Sequence, residues 1–99
     1  MAGIVNGRIT VSTAGTAVRF TTNPTPIKYL LLEVPSANTG SIYIGDSTVA
    51  SNNTPAIAKS TTRDFLFRHD VEESPGDLSD FYADAGTNGD VVNYFAITI

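Results

Sequence analysis

The sequence predicts an all-β fold, a single antiparallel β-sandwich or jelly roll of about eight short strands spanning residues 1–99. Three observations carry this. Apolar residues alternate with period two in nearly every apolar segment, those segments are rich in β-branched and aromatic residues, and clusters of Gly, Pro, Asn and Ser bound them. No segment shows helical periodicity, and short strands separated by frequent turns are the signature of two packed sheets.

The elements follow in order. Residues 8–12 place Ile9 and Val11 on one face, residues 17–22 do the same with Val18 and Phe20, and Ala14-Gly15 between them reads as a hairpin turn. Asn23-Pro24-Thr25-Pro26 interrupts pairing, because proline offers no ladder donor. Residues 27–34 carry apolar side chains on both faces, Ile27, Tyr29 and Leu31 against Leu30, Leu32 and Val34, so this strand should be covered on both sides. Residues 41–44 form a short strand closed by Gly45-Asp46, and the polar stretch 47–54 reads as a loop. Residues 63–70 form a strand with Phe65 and Phe67 inward, Ser74-Pro75-Gly76-Asp77 a turn, and residues 78–84 a short strand around Phe81 and Tyr82. Asn88-Gly89-Asp90 is a tight-turn signal that launches Val91 to Ile99, the most apolar run in the chain.

Composition excludes several chemistries. With no cysteine there is no disulfide framework, thiolate metal site or cysteine nucleophile. The N-terminal residues lack the basic and apolar regions of a secretory signal and no stretch is long enough for a transmembrane helix, so the chain is expected to be made in a cytoplasm without a membrane partner. The net charge of −4 is unevenly spread. Between Asp70 and Asp90 lie seven acidic residues and no Lys or Arg, which reads as a solvated acidic region and argues against nucleic acid as a partner.

No catalytic constellation emerges, and none is expected. His69, the one histidine, neighbours Asp70, but adjacent strand residues point to opposite faces, and no serine sits in a Gly-x-Ser-x-Gly elbow. Residues 84–90 resemble an oxygen-rich calcium loop, yet Gly86 stands where a ligand belongs and Phe95 where the bidentate Glu belongs, so a β-turn is the better reading. A weak cation site on Asp80, Asp84 or Asp90 is the residual alternative, and no cofactor is implied. A carbohydrate-binding module or small hydrolase would need exposed aromatics flanked by carboxylates. Tyr43 or Tyr82 with Asp46 or Asp84 are its candidates.

Binding is therefore the expected function, and the apolar excess says where. The charge-free run 91–99 would be an aggregation hazard if left open, and with strand 27–34 it holds more apolar surface than a thin sandwich needs. The candidate assembly interface comprises Ile4 and Val5 in residues 1–7, expected as an extended N-terminal arm, then Tyr29 and Leu31, and finally Tyr94, Phe95, Ile97 and Ile99.

Two blocks carry a resemblance. One is Asn38-Thr39-Gly40-Ser41-Ile42-Tyr43-Ile44-Gly45-Asp46-Ser47-Thr48-Val49; the other is Asp77-Leu78-Ser79-Asp80-Phe81-Tyr82-Ala83-Asp84-Ala85 with Gly89-Asp90-Val91 and Tyr94. Together they resemble the capsid decoration, or cement, proteins of tailed bacteriophages. The pattern departs at Ala56-Ile57-Ala58-Lys59-Ser60, where that family usually has a Pro-Gly turn. The resemblance implies a small jelly roll, a homotrimer, seated on the outside of the virion capsid against the major capsid protein, with no catalytic residues. A tail, baseplate or fibre component is the alternative.

Overall fold

A computed structural model of the chain describes residues 3–66 and 76–99. Within them the chain forms β1 (Ile4–Val11), β2 (Val18–Arg19), β3 (Pro26–Val34), β4 (Ile42–Gly45), β5 (Thr61–Leu66), β6 (Gly76–Asp77), one 3-10 turn (Leu78–Asp80), β7 (Tyr82–Ala85) and β8 (Asp90–Thr98). One antiparallel sheet has the order β1-β8-β3-β5, with β6 also on β3, and the other has the order β2-β7-β4. The pairings are nested. Ile4 lies opposite Ile97, Val18 opposite Ala83, Tyr29 opposite Leu66, and Ile42 bridges Ile57. The chain is thus one long hairpin, with its tip in the loop after β4, rolled into two layers: the jelly-roll arrangement.

The core lies between the sheets. From the first sheet come Ile9, Val11, Leu30, Leu32, Val34, Val92 and Ala96; Ile42 and Ala83 come from the second. Complete burial of a Leu contributes about 1.5–3 kcal/mol, and a one-residue slip of β3 would expose Leu30 and Leu32 while burying Glu33. Register is therefore strongly specified. At one end Phe20 and Phe81 from the second layer meet Tyr94 and Phe65 from the first, with Phe20 5.2 Å from Tyr94 and Phe65 6.2 Å from Phe81 between ring centroids.

Several expectations change. Ala14-Gly15 is a turn, with Gly15 at φ +91°, but it carries the chain from one sheet to the other; β1 and β2 are not a hairpin. A register shift between Ile27 and Tyr29 reverses side-chain parity, so Ile27 shares the buried face with Leu30 and leaves the face of Tyr29. Residues 78–80 form a 3-10 turn, because Asp77 Oδ1 accepts the Ser79 N–H at 2.9 Å and caps it, and β7 starts only at Tyr82. From Ile4 on, the segment expected as an arm is the first half of β1 and pairs with β8 of its own chain. Phe67, His69 and Asp70 lie outside the described residues.

Candidate assembly face

The register of the first sheet fixes what its outer face displays. One row across it is Ile4, Ile97, Tyr29 and Leu66, on β1, β8, β3 and β5 in turn. The next is Asn6, Phe95, Leu31 and Asp64. Ile4 is 67% exposed and Leu66 79%, while Tyr29, Leu31, Phe95 and Ile97 are half-buried by their neighbours on the face. Six apolar side chains from four strands thus form one contiguous, solvent-facing patch. Isolated exposed apolar residues are ordinary, but a contiguous patch rimmed by polar groups marks an interaction surface.

The rim is polar and internally bonded. In the third row Arg8 Nε donates to Asn93 Oδ1 at 2.8 Å, and Asn93 Nδ2 donates to Glu33 Oε1 at 2.9 Å. Tyr29 donates its hydroxyl to Asp64 Oδ2 at 3.3 Å; desolvation first, then the Asp64 charge and hydrogen bond, raise the tyrosine pKa. Between the apolar rows and this rim lies a shallow depression of about 280 Å³ lined by Leu31, Phe95, Glu33, Thr62, Asn93 and Tyr94. It falls just below the usual range of enclosed small-molecule pockets and is open, which suits a protein surface better than a small ligand.

Of the sequence-predicted interface residues, the structure gathers Ile4, Tyr29, Leu31, Phe95 and Ile97 on this face, and Ile99 stands 43% exposed just beyond β8. Val5 and Tyr94 point the other way and pack on the core. Leu66 joins the patch without having been singled out. Its signal was there: it alternates with Phe65, whose side chain is on the core.

Three of the carboxylates considered for other chemistry, Asp46, Asp84 and Asp90, have structural partners. Asp84 is 1% exposed, and its Oδ1 accepts N–H groups of Gly15 and Ala85, at 2.9 and 2.8 Å. Asp90 accepts the N–H groups of Thr39 and Gly40, at 3.0 and 2.7 Å. Asp46 accepts both the hydroxyl and the N–H of Thr48, and those bonds lower its pKa. The buried Asp84 is thus committed to backbone groups, while Asp46 beside Tyr43 stays exposed. Among the described residues no three His, Cys, Asp or Glu side chains gather as metal ligands, and no helix is long and apolar enough to cross a membrane.

No protein-family model and no curated protein matches the sequence. Among solved structures, the fold is similar to that of a pilus protein of Bacillus endospore appendages, at 20% identity over 99% of this chain and 83% of that one, with a TM-score of 0.58. It is also similar to a chain of the nora virus structure, at 12% identity and a TM-score of 0.52, with 98% of this chain covering 54% of that one. At these identities the likeness is one of fold, and the fold they share is the two-sheet β-sandwich described above.

Proposed function

We propose that the protein is a non-enzymatic structural subunit that works by assembly, docking through the outer face of the β1-β8-β3-β5 sheet. The observation that carries this is the solvent-facing row Ile4, Ile97, Tyr29 and Leu66 beside Phe95 and Leu31. Such a face gains stability only when a partner covers it. The same fold occurs in a virus and in an appendage described as disulfide-linked pili. Having no cysteine, this chain would hold its contacts without covalent links.

The finer reading is a tailed-phage capsid decoration protein, binding the exterior of the assembled capsid as an oligomer, a trimer by the resemblance. Its support is the pair of sequence blocks at 38–49 and 77–94. A ligand that binds the assembled lattice but not its dissociated subunits stabilises the lattice by mass action, which is chemistry enough for a domain of this kind. The test is binding of purified protein to capsids of the phage that encodes it. Saturable binding with a raised capsid melting temperature is expected, and Phe95→Asp should abolish both. No binding of the wild type at about 10 µM, a weak-interface concentration, overturns the capsid reading. Labelling confined to the tail in electron micrographs would move the protein to the tail, baseplate or fibre.

A further inference from the structure

Among the described residues, three sheet-edge strands, β2, β4 and β5, are guarded. β2 is two residues long, Ile57 occupies the outer side of β4 by exchanging backbone hydrogen bonds with Ile42 at 3.0 and 2.9 Å, and β5 carries Arg63 and Asp64. Short edges, covering segments and charges are the devices that stop a sheet from adding strands. Among the described residues β1 is neither short nor covered, and only Arg8 guards it by charge. It runs eight residues in unbroken register with β8, has no proline or bulge, and carries Arg8 as its one charge.

The direction of its free peptide groups is fixed. Gly3 O accepts the Thr98 N–H at 2.9 Å and Val11 O accepts the Gly89 N–H at 2.8 Å, so the odd-numbered residues bond towards β8. Antiparallel alternation then turns the N–H and C=O of Ile4, Asn6, Arg8 and Thr10 away from it. Among the described residues these groups have no backbone partner, and all four side chains are exposed.

Building on the assembly reading above, we infer that β1 is a strand-addition site for β1 of a second copy of this chain, antiparallel about a twofold axis at Gly7. That register overlaps the two strands over Ile4–Thr10 and bonds every outward peptide. It sets Asn6 beside the partner's Arg8 and Ile4 beside the partner's Thr10, so no like charges meet. On the inner side, half-buried Val5 meets the partner's Ile9, and the two Gly7 residues face each other without side chains. A register centred one residue on would oppose Arg8 to the partner's Arg8. The contact is isologous and closes on itself, giving a pair and not an open fibre. It makes one continuous sheet whose two apolar outer faces lie on the same side, so the pair docks bivalently.

The test is self-association measured by sedimentation velocity for the wild type, Asn6→Pro, Asn6→Lys and Asn6→Glu, with circular dichroism and melting to verify each fold. Proline at residue 6 deletes an outward N–H and leaves the β1–β8 ladder intact, and should abolish pairing. Asn6→Lys, facing the partner's Arg8, should weaken pairing about threefold to tenfold, and Asn6→Glu should strengthen it by a similar factor. A wild type with no self-association at about 200 µM, or Lys and Glu variants of equal self-affinity, overturns the inference. Loss of capsid binding in Phe95→Asp with no effect of Asn6→Pro on mass removes the edge contact and leaves the assembly reading; edge pairing without capsid binding does the reverse.

Discussion

Asn38 pairs with Val91 as a strand neighbour would: its Nδ2 donates to the Val91 carbonyl at 2.7 Å and its Oδ1 accepts the Val91 N–H at 3.1 Å. One residue earlier in β8, Asp90 takes the N–H groups of Thr39 and Gly40. The loop between β3 and β4 is thereby fastened to the start of β8, and the two blocks that carry the phage resemblance meet here. Those residues hold the roll closed.

Removing the amide should therefore be costly. Asn38 is 5% exposed, so Asn38→Ala leaves both backbone groups of Val91 unsatisfied and should lower stability by about 2–3 kcal/mol in urea denaturation. Asn38→Asp, which sets a carboxylate against a carbonyl, should cost at least as much. A loss under about 0.5 kcal/mol would mean that water replaces the amide freely.

Gly7 packs beneath an aromatic ring. A Cβ there would come within 2.9 Å of the Tyr94 hydroxyl and 3.0 Å of its Cζ, while the ring itself is held against Phe20. Gly7→Ala should destabilise by about 1–2 kcal/mol through overpacking. In a Tyr94→Ala background the same substitution should cost nothing, and a double-mutant cycle reads the coupling.

Ser60 adopts φ +65° and donates its N–H to Val34 O at 2.8 Å. Ser60→Gly should stabilise by about 0.5–1 kcal/mol, seen as a raised melting temperature, and Ser60→Val should destabilise.

Acid stability should depend on Asp77. Desolvation raises its pKa, but hydrogen bonds from the Thr25 N–H and from the hydroxyl and N–H of Ser79, with the Arg19 charge, outweigh it and hold the pKa below the usual value. The unfolded chain then takes up the proton first, so the stabilisation is complete above about pH 4 and is lost as pH falls through the depressed folded value. Asp77→Asn should be less stable at neutral pH and lose less on acidification than the wild type. Parallel pH profiles for the two proteins would refute this.

The two sides of the first sheet should respond oppositely to truncation. Leu66→Ser on the outer face should change monomer stability by less than about 0.5 kcal/mol while raising solubility, whereas Leu32→Ala on the buried face should cost about 2–5 kcal/mol. Equal costs at the two positions would contradict the assignment of faces.

Much of this was legible locally. Along β8 the alternation is unbroken, so Val92 and Ala96 inward and Phe95 and Ile97 outward follow from period two alone. Along β3 the same reading fails at one point, because the irregularity between Ile27 and Tyr29 inserts a parity change that no residue type announces. The Ala14-Gly15 turn misleads for a similar reason. A glycine at positive φ reverses the chain equally well within a sheet or between sheets, and only the pairing of Val18 with Ala83 distinguishes them.

The sequence by itself determined the all-β class, the approximate number of strands and the surplus of apolar side chains, since these depend on period, composition and turn residues within short windows. The tertiary structure decided the nesting of the pairs, the fastening of Asn38 to Val91 and the convergence of Ile4, Ile97, Tyr29 and Leu66 in one row. Those depend on which distant strands become neighbours, a choice made by the burial of the whole core and by loop closure, and no local window contains it.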